Sequence, residues 1–135
     1  MSPPESYDDL IGKPYELGAH GPDAYDCYGL AVTVLNRLGF RINTDLAAEW
    51  IRRYKPGLIN PEAITELDCD VEDEPRKAGD LIIMRGEANG DARATHVAVH
   101  IGENIAIQST RGIGVHVVPF RVLEPVTVEV ITWKD

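Results

Sequence analysis

Little in this sequence is cationic. Its 135 residues carry 13 Lys and Arg against 22 Asp and Glu, a formal charge of −9. Nucleic-acid binding needs a clustered basic surface, so DNA and RNA are poor partners for this chain. Docking on anionic lipid is disfavoured for the same reason. Cysteine is also scarce: two residues, Cys27 and Cys69, cannot build a disulfide framework. No Cys/His cluster has the spacing of zinc ligands, and the sequence implies no metal and no cofactor. No apolar run reaches the ~18 residues of a membrane span, so membrane insertion is not expected. A basic-then-apolar leader is missing too, and the expectation is a chain made in the bacterial cytoplasm without a signal peptide. Internal repeats and low-complexity segments are lacking. One domain over residues 1–135 is expected, large enough to bury a core without cross-links.

The apolar pattern changes period along the chain. Residues 7–12 can form a short helix, and Pro14, Gly18, Gly21 and Pro22 punctuate a loop after it. Leu30, Ala31, Val34 and Leu38 recur at helical spacing, which predicts a helix over residues 24–38. Asp23 is its expected N-cap and Gly39 its closing residue. Two weaker helices are expected over 44–54 and 61–67. From there the period becomes strand-like. Segments 81–84, 96–101, 105–109, 115–120 and 126–133 are the strand candidates. Gly102-Glu103-Asn104 should join two of them as a hairpin, and Gly112-Ile113-Gly114 reads as another turn rather than a phosphate loop. Helices first and strands afterwards predict an α+β fold, with an antiparallel sheet packed on the Cys27 helix.

Cys27 falls in the first turn of the best helix. The partial positive charge and free N–H groups of a helix start lower a thiol's pKa, and the thiolate is the nucleophile. The same N–H groups can stabilise an oxyanion. The competing reading makes Cys27 a small core residue on the Leu30/Ala31/Val34 face. His96 opens an apolar strand, where an imidazole is costly without a partner. Strand parity puts His96, Ala98 and His100 on one face. Ala106 and Gln108 share that face, with Gln108 opposite or diagonal to His96. An amide oxygen there would fix the imidazole tautomer, as a Cys–His pair requires. Alone, His96 reads as a structural histidine; with Cys27 and Gln108 it reads as a base. His100 is the alternative base. His20 and His116 have no evident partner. Cys69 lies among carboxylates in residues 67–74, which disfavour a thiolate, and that run reads as a solvated loop without a calcium-loop pattern.

Gly12-Lys13-Pro14-Tyr15, then Gly18, then Tyr25-Asp26-Cys27-Tyr28-Gly29-Leu30 resembles the opening motif of NlpC-type cell-wall cysteine peptidases. Ala78-Gly79-Asp80-Leu81 is similar to that family's P-G-D-L turn, and the stretch from His96 through Gly102 to its H-V-G-I-Y-I-G strand. Gln108 falls where the family keeps a polar third residue. The resemblance covers residues 12–110. It implies a papain-like NlpC-type fold and a cysteine endopeptidase, with Cys27, His96 and Gln108 as the catalytic set. It further implies hydrolysis of peptidoglycan stem peptides, in the family at the γ-D-Glu–diamino acid bond. Tyr15 and Asp26 match family positions that bind the stem. Tyr28 replaces a Ser that often contacts the substrate amine, and Ala78 replaces the usual Pro. A lone domain with a D-C-x-G-L motif resembles peptidases of phage tail tips. A virion tail location and tail-hub partners are the corresponding expectations. A structural tail-tip subunit with weak or no catalysis is the alternative, and acyl transfer or amidase chemistry on the same thiolate is a third reading.

Overall fold

The computed structural model describes residues 7–19, 21–39, 69–72, 74–85 and 95–133. The two helices expected over 44–54 and 61–67 lie outside the described residues. Helix α1 spans Cys27–Arg37. Strands β1 (Cys69–Glu72), β2 (Leu81–Arg85), β3 (Thr95–His100), β4 (Ile105–Thr110) and β5 (Gly114–Pro119) follow. A short helix α2 (Phe120–Leu123) and a 3₁₀ turn (Glu124–Val126) lead into β6 (Thr127–Trp133). The six strands form an antiparallel sheet in the order β1-β6-β2-β3-β4-β5. The α+β expectation therefore holds.

Strand alternation sorts the core onto two faces. Leu81, Ile83, Val97, Val99, Ile107, Val115 and Ile131 pack with Leu30, Ala31, Val34 and Leu35 of α1. Ile82, Met84, Ala98 and Ala106 face the other way and are covered by Phe120 and Leu123 of α2. Burying a Leu, Ile or Val side chain contributes about 1.5–3 kcal/mol, so the α1 face holds most of the described stabilisation.

The helix begins later than the sequence suggested. Asp26, not Asp23, is the N-cap, and its side chain accepts from the Gly29 N–H. Asp23 sits in a bend three residues earlier. Two Asp residues precede the same apolar stripe, and the second has its N–H held outside the helix, donating 2.8 Å to the Ala19 carbonyl. Gly39 ends the helix as expected, with a φ of 94°. Residues 7–12 make one turn rather than a helix: the Leu10 and Ile11 N–H groups both donate to the Tyr7 carbonyl. Asp9 then clamps the end of α1 through both oxygens, 2.6 and 2.8 Å from the Arg37 guanidinium.

The acidic run expected as a solvated loop is partly a strand. Cys69–Glu72 pairs with β6, with Cys69 opposite Trp133 and Glu72 opposite Val130. Charge on an edge strand discourages further pairing without preventing the main-chain ladder. At the opposite edge, the N-terminal segment caps β5. Gly12 donates to the Val115 carbonyl, and Val115 donates back to that of Lys13.

Candidate active site

The site lies where β3 and β4 part. Their ladder pairs His100 with Ala106 and Val99 with Ile107, and stops there. The His100 N–H donates to the Asp80 carbonyl on the β2 side. Alternation therefore aims the odd-numbered N–H groups of β3, Val97 among them, toward β4. With β4 no longer paired there, the Val97 N–H lies near enough to the Cys27 sulfur to favour its thiolate. On β4, Ser109 Oγ donates 2.8 Å to the Tyr25 carbonyl. The start of α1 is thus wedged into the gap between the two strands. Cys27 packs with the odd-numbered face of the sheet, the side of Val97, Val99 and Ile107.

His96 and Gln108 flank this gap from the even-numbered face of β3 and β4. Gln108 lies diagonally across the gap from His96, as strand parity predicted. His96 Nε2 is 2.8 Å from Gln108 Oε1, and both residues are buried. A carboxamide oxygen only accepts, so Nε2 carries the proton and Nδ1 carries the lone pair. Nδ1 is buried and has no hydrogen-bond partner. No Cys27–His96 hydrogen bond is formed; the sulfur meets the sheet at Val97, the neighbour of His96 in the chain. Gln108 also reaches His116, with Nε2 3.1 Å from His116 Nε2, and His116 Nδ1 is 2.9 Å from the Gly114 carbonyl. His116 had no evident partner in the sequence. The signal was available: the Thr110–Gly114 turn pairs Gln108 with His116 across the hairpin.

Electrostatics correct one expectation. Burial pushes the Cys27 thiol up to about 12, and the nearby Asp26 charge adds to the rise. The Val97, Cys27 and Tyr28 N–H groups pull the other way and are outweighed. A helix start lowers a thiol's pKa when the sulfur stays partly solvated; here the sulfur is buried, and desolvation wins. Burial also holds His96 below its ordinary value, against the pull of Gln108, and His116 adds to the lowering. Burial thus favours the neutral thiol of Cys27 and the neutral imidazole of His96.

The remaining expected residues are placed as follows. Tyr15 is brought to Cys27: its hydroxyl is pushed up by burial first, then by the charges of Cys27 and Asp26, with Arg111 opposing. Asp26 is buried, and its two oxygens accept from Gly29 N–H at 2.6 Å and Gly18 N–H at 3.0 Å. Its first role is therefore to cap α1 and tie down the glycine loop before it. Tyr28 is half-buried against the α1 core. His100, the alternative base, is separated from this cluster. Its Nδ1 lies 2.9 Å from the Lys77 carbonyl, where it secures the turn that Asp80 Oδ2 closes on Arg76 and Lys77. Among the described residues, no group of three His, Cys, Asp or Glu side chains is arranged to hold a metal, and no helix is long and apolar enough to cross a membrane.

A cysteine at the start of a helix packed on an antiparallel sheet, and a buried histidine with an amide partner on that sheet, fit a papain-like NlpC-type fold. The family model of the NlpC/P60 family matches residues 12–131, and the chain belongs to that family. A probable endopeptidase p60 of Listeria grayi is 26% identical over 92 residues, 68% of this chain and 14% of that protein. The structure of NlpC1 from Trichomonas vaginalis superposes with a TM-score of 0.55 at 25% identity, over 93% of this chain and 40% of that one. A lipoprotein-like NLP/P60 family structure from Staphylococcus aureus gives 0.58 at 20% identity, over 96% of this chain and 39% of that one. The chain thus spans less than half the length of these relatives.

Proposed function

We propose that this chain is a cysteine endopeptidase that hydrolyses peptidoglycan stem peptides, with Cys27 as nucleophile, His96 as base and Gln108 as the group that orients it. The observation that carries this reading is the buried His96–Gln108 bond, which leaves the buried Nδ1 lone pair of His96 uncommitted. Because both partners rest neutral, the proton leaves sulfur only as a carbonyl is engaged. His96 Nδ1 takes the thiol proton while Sγ bonds to the carbonyl carbon. In this reading the first-turn N–H groups of Cys27 and Tyr28 meet the oxyanion. The imidazolium then protonates the departing amine, and water, deprotonated by the same ring, releases the thioester as a free acid.

The substrate class rests on family membership and on the p60 relative. Within it we assign the γ-D-Glu–diamino acid bond, with Tyr15, Asp26 and Tyr28 lining the approach to Cys27. Delivery on a phage or prophage tail tip completes the proposal. It rests on the resemblance of the D-C-x-G-L motif to that of tail-tip peptidases, and co-purification with virions tests it. The bond is tested by mass spectrometry of purified muropeptides incubated with the protein. Products ending in D-Glu and beginning with the diamino acid support the reading. Intact muropeptides together with stable assembly into tails would favour a structural tail-tip subunit.

A further inference from the structure

We propose that His116 is a positioning residue for the catalytic imidazole, and that a proton on His116 reverses the Gln108 amide and leaves His96 in the tautomer that cannot act as base. The inference rests on the assignment of His96 as base and explains how that residue is kept competent.

The hydrogen bonds form one chain with a fixed end. The Gly114 carbonyl can only accept, so His116 Nδ1, 2.9 Å away, must donate to it. A neutral His116 then has an acceptor at Nε2. Facing it at 3.1 Å is the Gln108 carboxamide nitrogen, which can only donate. That choice turns the Gln108 oxygen toward His96, 2.8 Å from Nε2. His96 therefore holds its hydrogen on Nε2 and its lone pair on Nδ1. The tautomer that catalysis needs is set, through two side chains, by a backbone carbonyl three hydrogen bonds away.

The same chain has a second self-consistent state that holds one more proton. With both nitrogens of His116 protonated, Nε2 donates and faces the donor amide of Gln108. Rotating the carboxamide by half a turn gives its oxygen to His116 and its NH₂ to His96 Nε2. That nitrogen must now accept, so the single hydrogen of His96 moves, by exchange with water, to Nδ1. The extra proton comes from solvent, which His116 can meet: it is half-buried on edge strand β5, whereas His96 is 6% exposed. A His96 with hydrogen on Nδ1 cannot take the proton of Cys27.

Other charges do not supply this link. The elements packed around this end of the sheet carry His96 and Gln108, Arg111 in the β4–β5 turn, Lys13 and Tyr15 on the segment along β5, and Asp26 and Cys27 at the start of α1. Asp26 is committed to Gly18 and Gly29. Of all of them, His116 is the one whose charge registers at His96, where it opposes protonation of the ring.

The tautomers are read directly by ring-nitrogen NMR of ¹⁵N-labelled protein, titrated through the range in which imidazoles change charge, about pH 5–8. At the alkaline end His96 should show hydrogen on Nε2. As His116 takes its proton, His96 should change to the Nδ1–H form in step with it, while still neutral. In His116→Gln, whose carbonyl oxygen can accept from Gln108 but takes no proton, His96 should keep Nε2–H until the ring itself becomes an imidazolium. Cleavage should follow. In the wild type, kcat/KM falls about tenfold per pH unit along the acid limb that His116 sets. His116→Gln should lose that limb and recover much of what His116→Phe loses near neutrality. Retention of Nε2–H on His96 throughout the His116 titration would overturn the proposal, as would the same tautomer change in His116→Gln. The wild-type titration alone can decide, and it needs no turnover. It therefore stays informative even if no muropeptide is cut.

Discussion

The Gln108 side chain joins two histidines. Its oxygen lies 2.8 Å from His96 Nε2 and its nitrogen 3.1 Å from His116 Nε2. His96 cannot turn without breaking a buried bond, and its free nitrogen is directed by a neutral group rather than by a carboxylate. A carboxylate would raise the basicity of the imidazole. The amide orients it while burial favours its neutral form, which suits the proposed role of base.

Gln108→Ala tests the orienting role. The variant should lower kcat by about 10- to 100-fold, a part of what general base catalysis supplies. It should also cost about 1–3 kcal/mol in urea unfolding, because the buried His96 Nε2–H loses its acceptor. Wild-type kcat in a folded Gln108→Ala protein would assign the orientation of His96 to another group.

The buried thiol gives stability an alkaline slope. Cys27 ionises near its ordinary value of 9.0 when unfolded and at about 12 when folded. The unfolded chain releases that proton first, so stability is fully present below about pH 9 and falls as pH rises toward about 12. The loss is on the order of 4 kcal/mol. Urea melts across this range should show the fall, and Cys27→Ala should flatten it. Alkylation of Cys27 by iodoacetamide should be slow at pH 7 and keep rising with pH. A plateau reached near neutrality would mean a preformed thiolate–imidazolium pair.

Asp26 tests how the nucleophile is held. Asp26→Ala removes the cap of α1, a loss of about 1–2 kcal/mol, and frees the Gly18 N–H as well. Activity should fall with stability, since Cys27 is the next residue. Asp26→Ser should recover part of the stability through the Gly29 bond, because its shorter side chain has one oxygen where two are used. Equal melting of the Ala and Ser variants would remove the cap from the account.

Gly114 tests the seam between the N-terminal segment and β5. Its φ is 83°, in the left-handed region, and a Cβ there would run into the Lys13 carbonyl oxygen. Gly114→Ala should cost about 1–3 kcal/mol. It should impair cleavage beyond that, by shifting the carbonyl that holds His116 and the segment that carries Tyr15. Unchanged stability and activity would show that the seam yields freely.

Much of this arrangement was legible in the chain because it is local or periodic. The apolar stripe through Leu30 and Val34 marked α1, and alternation around Val97 and Val99 marked β3. The Gly102–Asn104 turn set the register that brings Gln108 beside His96. What the sequence concealed depends on contacts between distant residues. Cys69–Glu72 becomes a strand only because β6, some sixty residues later, pairs with it. The cap fell to Asp26 rather than Asp23 because the Asp26 N–H finds the Ala19 carbonyl. The Cys27 thiol looked activated because its helix start is visible in the sequence, whereas the wedge between β3 and β4 that desolvates it is not. His116 was overlooked although the same parity that found Gln108 reaches it one strand further on.

Cys27 as the nucleophile is the central assignment. The direct test is mass spectrometry of purified muropeptides after incubation with the wild-type protein and with Cys27→Ala, alongside thermal unfolding of both. The account predicts cleavage by the wild type and none detectable by Cys27→Ala, with the variant still folding cooperatively below pH 9. Cleavage at the wild-type rate by Cys27→Ala would contradict it.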